Sequence, residues 1–153
     1  MRRPHLIPLL YTILISQAHA GAAGICPAIS ANEIASLFDH WNATLQSGRP
    51  DQVVDNYASR SVLLAAGSDA PHLSPQDKMA YFKQFLGRRP VAHIDSRRIE
   101  TDCNSAIDAG IYTFRFGDGA QVTAGYSFTY QRFGNRWLII NHRSSALPMR
   151  GVR

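Results

Sequence analysis

A chain of 153 residues, 45% hydrophobic and 18% charged, suits one domain with a real core and is short for two. That composition excludes a disordered tail or a fibrous repeat. A formal charge of +5, with no basic run longer than two residues and no interleaved aromatic stripe, gives no case for nucleic-acid binding.

Residues 1–20 read as a secretory leader: Arg2 and Arg3 are followed by the apolar run Leu6 to Ile15 and the small residues of Ala18-His19-Ala20. The mature chain is expected to begin at Gly21, the alternative being an uncleaved anchor. The apolar run is shorter than the roughly 20 residues a membrane span needs, and no second one follows. No stable membrane insertion is therefore expected after processing, and the location is expected to be periplasmic or secreted. Without Arg2 and Arg3 the balance is 14 basic to 11 acidic residues, a modest surface charge.

A loose segment, residues 21–29, leads to a domain spanning residues 30–148, with a short tail at 149–153. Ser30-Ala31-Asn32-Glu33 is a capping box, and Ile34, Leu37, Phe38, Trp41 and Leu45 follow at helical spacing until Gly48. Pro50 opens a second, shorter helix carrying Val53, Val54 and Tyr57. Ser61 to Ala66 is a short apolar strand. Ser74-Pro75-Gln76-Asp77 caps a third helix whose apolar residues are Met79, Tyr81, Phe82, Phe85 and Leu86.

From Pro90 the period changes to two. Four strands are predicted: Val91 to Glu100, Ala106 to Phe116, Gln121 to Phe133 and Arg136 to Ser144, joined by turns at Asp102 to Ser105, Gly117-Asp118-Gly119 and Gly134-Asn135. In the third of these, Val122, Ala124, Tyr126, Phe128 and Tyr130 share the buried face. In the last, strict alternation puts Leu138, Ile140, His142 and Ser144 on one face and Trp137, Ile139, Asn141 and Arg143 on the other. Helices followed by an antiparallel meander predict an α+β fold with helices covering one sheet face.

Cys26 and Cys103 are the two cysteines, and in an exported protein an even count predicts a Cys26–Cys103 disulfide. Closing that loop would be worth about 4 kcal/mol in the chain-entropy model. Two buried free thiols are the alternative. His40, His72, His93 and His142 show no ligand spacing, so neither a metal nor another cofactor is expected. Asn42-Ala43-Thr44 matches a glycosylation sequon inside the first helix and is read as chance.

Several segments, in order, carry a family resemblance. They are Trp41-Asn42-Ala43 with Gly48, Tyr57-Ala58 before Val62-Leu63-Leu64, Tyr81-Phe82 with Phe85-Leu86, and Cys103-Asn104 with Ala106, Asp108 and Gly110. Tyr112-Thr113-Phe114, Tyr126-Ser127-Phe128, and Trp137 with His142-Arg143-Ser144-Ser145-Ala146-Leu147-Pro148 complete the set. Over about Ile34 to Pro148 the chain resembles the bacterial branch of the calcium/calmodulin-dependent protein kinase II association domain, within the nuclear-transport-factor-two-like, or SnoaL-like, superfamily. The resemblance implies a cone of helices and strongly curved sheet enclosing a pocket, and a homo-oligomer. It does not imply kinase activity, since no Gly-rich phosphate loop, catalytic His-Arg-Asp or Asp-Phe-Gly segment is present.

By the same resemblance the kinase hub's basic pocket positions fall on Phe114, Phe128 and Ser144, the last displaced to Arg143 if the final strand carries a one-residue gap. The bacterial branch's paired histidines become His142-Arg143. An apolar or aromatic ligand fits these residues better than a carboxylate. The candidate ligand-binding residues are Trp41, Tyr57, Tyr112, Phe114, Tyr126, Phe128, His142 and Ser144. Asp95, which shares a strand face with His93, and His142 are the candidate bases should the domain be an isomerase or hydratase. Two functions stay open: a non-catalytic domain binding a small apolar molecule or a partner protein, and a SnoaL-like proton-transfer enzyme.

Overall fold

The computed structural model describes residues 29–147, so the leader, Cys26 and the C-terminal tail lie outside the described residues. The order is α1 (Ala31–Gln46), α2 (Pro50–Val54), β1 (Tyr57–Leu64), α3 (Pro75–Leu86), β2 (Val91–Thr101), β3 (Ser105–Arg115), β4 (Gln121–Phe133) and β5 (Arg136–Ala146). The five strands form one sheet in the order β1-β5-β4-β3-β2, antiparallel except where β1 runs parallel to β5. Its two edges do not meet, so the sheet curls without closing.

Local chemistry starts both long helices where the sequence predicts. Ser30 Oγ accepts from the Glu33 N–H at 3.2 Å while the Glu33 carboxylate accepts from the Ser30 N–H at 2.8 Å, and Ser74 and Asp77 repeat this reciprocal cap on α3. Ile34, Phe38, Trp41 and Leu45 form the buried stripe of α1. Gly48, at φ 67°, turns the chain into the left-handed region that ends the helix. Asn42 then fastens α1 to the start of β2: its amide donates to the Ala92 carbonyl at 2.8 Å and its oxygen accepts from the Ala92 N–H at 2.9 Å. The sequon asparagine is thus engaged within the fold.

Two β-bulges reset the inward faces, and strict alternation misses both. In β5 the register slips between Thr129 and Tyr130 of β4, so Tyr130 faces Ile139 while Thr129 faces Asn141. Ile140 is the extra residue, and the bulge brings Ile139 and His142 to the same inner face, where both are buried. In β2 the slip lies between Ile94 and Ser96, making Asp95 the extra residue and turning Arg97 inward where Ala92 and Ile94 faced inward before it. Gly110 permits that approach, because a Cβ there would lie 1.9 Å from the Ser96 carbonyl oxygen.

The first strand also differs from expectation. It begins at Tyr57, which the helical pattern had placed in α2; α2 stops at Val54, and Tyr57 pairs with Ile139 of β5. The parallel β1–β5 pair joins the N-terminal part of the chain to the C-terminal strand. This brings Tyr57 and His142 together across 85 residues.

Candidate functional site

The concave sheet face, α1 and α3 leave a cavity of about 140 Å³ between them. Trp41 comes from α1, and Tyr81, Phe82 and Phe85 from α3. Ala65 and Ala66 follow the end of β1, Tyr112, Phe114 and Phe116 stand on or just beyond β3, Val122 and Ala124 on β4, and His142 and Ser144 on β5. The exposed Arg88 and Val122 mark the mouth, where the Arg88 guanidinium lies 3.6 Å from the Phe116 ring centroid. An apolar cavity of roughly 150 Å³ is enough to bind benzene. The wall is a continuous aromatic lattice: Phe85 meets Phe114 edge-on at 5.2 Å, Trp41 meets Phe114 at 6.4 Å, and Tyr112 meets Phe114 at 4.8 Å.

Polar groups are few and placed. Tyr112 donates its hydroxyl to Ser144 Oγ at 2.7 Å. Burial pushes the Tyr112 hydroxyl well above its usual pKa and the Tyr81 hydroxyl up to about 12, so both stay protonated. The His142 ring is 22° from parallel with Phe128 at 4.0 Å and edge-on to Trp41 at 5.3 Å. Its Nδ1 is 2.8 Å from the Tyr57 hydroxyl, which in turn accepts from Trp41 Nε1 at 3.2 Å. Burial lowers the His142 pKa to about 3, leaving a neutral imidazole. Its Nε2 is buried without a hydrogen-bond partner.

Five of the eight expected ligand residues line the cavity: Trp41, Tyr112, Phe114, His142 and Ser144. Tyr57, Tyr126 and Phe128 do not. Phe128 is fully buried behind the His142 ring, Tyr57 is held by its bonds to Trp41 and His142, and Tyr126 turns to Asp108. Ser144 is the residue that faces inward, while Arg143 is exposed. Asp95 lies elsewhere. It stands with His93 on the other sheet face, 3.3 Å from His93 Nδ1, where it accepts from the Thr113 hydroxyl at 2.7 Å.

Sequence reasoning missed Phe116, Arg88 and the aromatic face of α3 as site residues. Tyr81, Phe82 and Phe85 show helical spacing, but spacing alone does not separate a core stripe from a cavity wall. Nothing in the Gly87-Arg88-Arg89 segment points to a site.

A second buried polar group lies outside the cavity, beside Phe38, about one turn of α1 before Trp41. Asp108 is fully buried and accepts from the Tyr126 hydroxyl at 2.8 Å and from Arg97 Nε at 3.1 Å; Arg97 Nη2 lies 3.1 Å from its other oxygen. Burial pushes the Asp108 carboxyl up against the pull of Tyr126 and Arg97. The Arg97 guanidinium also sits 5.1 Å from the Phe38 ring. The β2 bulge makes this pair. Among the described residues no group of three or more His, Cys, Asp or Glu side chains is arranged to hold a metal, and no helix is long and apolar enough to cross a membrane.

Comparison with known proteins places the chain. A protein from Xanthomonas campestris that bears the name of the calcium/calmodulin dependent protein kinase II association domain is 42% identical, with a TM-score of 0.75 over 79% of this chain and 90% of its own. A protein named for the same domain from Thiobacillus denitrificans is 15% identical, with a TM-score of 0.62 over 74% and 94%. An NTF2-like protein of unknown function from Pseudomonas putida is 18% identical, with a TM-score of 0.68 over 78% and 88%. These last two show the fold alone, the NTF2-like cone. No curated protein matches the sequence at a significant level. The family model of the calcium/calmodulin dependent protein kinase II association domain matches residues 30–148, and the chain belongs to that family.

Proposed function

We propose that this chain is an exported, self-associating, non-kinase domain that binds a small, largely apolar molecule in the cavity between α1, α3 and the sheet. The observation that carries the reading is the cavity itself: an aromatic wall with a neutral histidine and one serine on its floor strand. Such a lining offers a planar apolar molecule dispersion contacts on several sides and few competing polar groups. A partner protein has less to support it, because the cavity accommodates a single ring rather than a peptide. Membership of an association-domain family supports the homo-oligomer.

Export is supported by the leader pattern of residues 1–20. The Cys26–Cys103 bridge is supported by the position of Ile29, three residues on from Cys26. Ile29 and Arg132 line one surface groove, and the Arg132 N–H donates to the carbonyl of Asn104, next to Cys103. Three residues of chain reach about 10 Å, enough to carry Cys26 from Ile29 toward that turn. Among the described residues no cysteine is free.

The proton-transfer reading has less in its favour. Asp95 is on the face away from the cavity, and a His142 pKa of about 3 makes the ring a poor base near neutral pH. Native mass spectrometry of the full-length product, expressed with export and purified gently, tests the proposal together with a denatured non-reduced control. The expected result is an oligomer that retains a small-molecule mass or gains one from a panel of single-ring aromatics. A monomer that neither retains nor takes up any of them overturns it.

A further inference from the structure

We propose that His142 is a fixed, neutral hydrogen-bond donor through Nε2, and that it selects, among single-ring molecules entering the cavity, those carrying a carbonyl-type acceptor. The inference rests on the proposed binding role of the cavity and deepens it by naming the ligand chemistry. It starts from three polar groups that share hydrogen atoms. Trp41 Nε1 can only donate, so the Tyr57 oxygen accepts that bond at 3.2 Å. The Tyr57 hydroxyl then has one proton of its own to place, and His142 Nδ1 lies 2.8 Å away.

If Tyr57 donates to Nδ1, every group in the chain Trp41–Tyr57–His142 is matched except the His142 Nε2–H. If His142 donates from Nδ1 instead, the Tyr57 proton and the Nε2 lone pair are both left without partners. A buried polar group without a partner costs roughly 1–3 kcal/mol, so the first arrangement is favoured. It puts the proton on Nε2, the atom that has no partner within the protein. Tyr57, which holds Nδ1, does not line the cavity, whereas His142 does. The unmatched Nε2 edge adjoins the cavity but is closed to a water-sized molecule in the unliganded protein, so an acceptor reaches it by displacing the side chains packed over it.

Ser144 adds a second donor on the same strand face. Its Oγ accepts from Tyr112, so the serine's own proton remains for an acceptor in the cavity, which Ser144 also lines. A ring embedded among Trp41, Phe85 and Phe114 satisfies the walls but leaves both donors unmatched. A planar ring bearing a ketone, aldehyde or ester oxygen satisfies walls and floor together. Tyr57 acts here as a positioning residue, since it sets the histidine tautomer without lining the cavity.

Two readouts test this in the full-length protein. Nitrogen-15 NMR of labelled histidine in the unliganded protein reports which ring nitrogen of His142 carries the proton at pH 7. Nε2 is expected, and a proton on Nδ1 or on both nitrogens overturns the inference whatever binds. Acetophenone and its apolar isostere α-methylstyrene are then titrated into the wild-type protein and His142→Phe. Desolvation of the carbonyl cancels across this cycle, and the hydrogen bond is expected to favour acetophenone by about fivefold in the wild type relative to the variant. Equal preference in both proteins overturns the donor role while leaving the cavity as a binding site. Failure of both probes to bind the wild type removes the cavity reading, and this inference with it.

Discussion

Acidification tests the burial of His142 through its cost to stability. The ring binds its proton at about 3 in the folded protein and at 6.5 in an exposed reference, so between those values the unfolded chain holds the proton more tightly. Its contribution to stability is then full above pH 6.5 and is lost as pH falls through the window toward 3. From pH 7 to pH 5 the loss is about 2 kcal/mol. With a urea slope of about 1.5 kcal/mol/M, the midpoint moves down by about 1.3 M. His142→Gln removes the titrating ring, and every other titrating group is common to both proteins. The assay is urea unfolding at pH 7 and pH 5 for the pair, followed by tryptophan fluorescence. The variant should be less stable at pH 7, yet lose about 2 kcal/mol less than the wild type on going to pH 5. Equal losses would refute the reasoning, as would an NMR titration in which the His142 ring protonates near pH 6.

Three further perturbations probe the frame around the site. Gly110→Ala places a methyl 1.9 Å from the Ser96 carbonyl oxygen and should cost about 3 kcal/mol in urea unfolding; a change below about 0.5 kcal/mol would show that the β2 bulge relaxes freely. Asp108→Asn leaves Arg97 beside an uncharged partner and should lower stability by about 3 kcal/mol, while Arg97→Met added to Asp108→Leu recovers at least half. No recovery in the double variant would assign the loss to packing. Ala124→Leu puts three further carbons into a cavity of about 140 Å³ and should abolish α-methylstyrene binding with far-ultraviolet circular dichroism unchanged; retained binding would place the ligand elsewhere.

The parts of the fold legible in the sequence are those set by contacts between near neighbours. Ser30 with Glu33 and Ser74 with Asp77 announce their helices because each cap is completed within four residues. The alternation from Val122 to Tyr130 reads correctly because β4 keeps its own period while the slips fall on its neighbours. The parts that were not legible depend on pairing between distant segments. Tyr57 looks helical beside Val53 and Val54, and only its parallel partner Ile139 makes it a strand residue. A bulge inserts one residue and inverts the face of all that follow, which is why Arg97 turns inward although strict alternation puts it outward with His93 and Asp95.

The candidate site divides in the same way. Phe114, His142 and Ser144 were within reach because the family resemblance sets their strands against a known pocket, Trp41 because it stands on the apolar face of α1, and Tyr112 because it shares a strand face with Phe114 and carries a hydroxyl. Tyr126 and Phe128 alternate with the same period as Ala124, but the cavity ends at Tyr112 and Ala124, and the inward residues beyond are taken up by Asp108 and the His142 ring. Where a cavity ends along a strand depends on how the helix above it fills the space. The sequence of the strand does not carry that information.

A crystal of the full-length protein soaked with acetophenone shows directly where a ligand binds and which group meets its oxygen. Ring density bounded by Trp41, Phe85 and Phe114 is expected, with the carbonyl oxygen within about 3 Å of His142 Nε2. A cavity that stays closed or filled only with water at saturating acetophenone, or a ring bound on the outer sheet face, would contradict it.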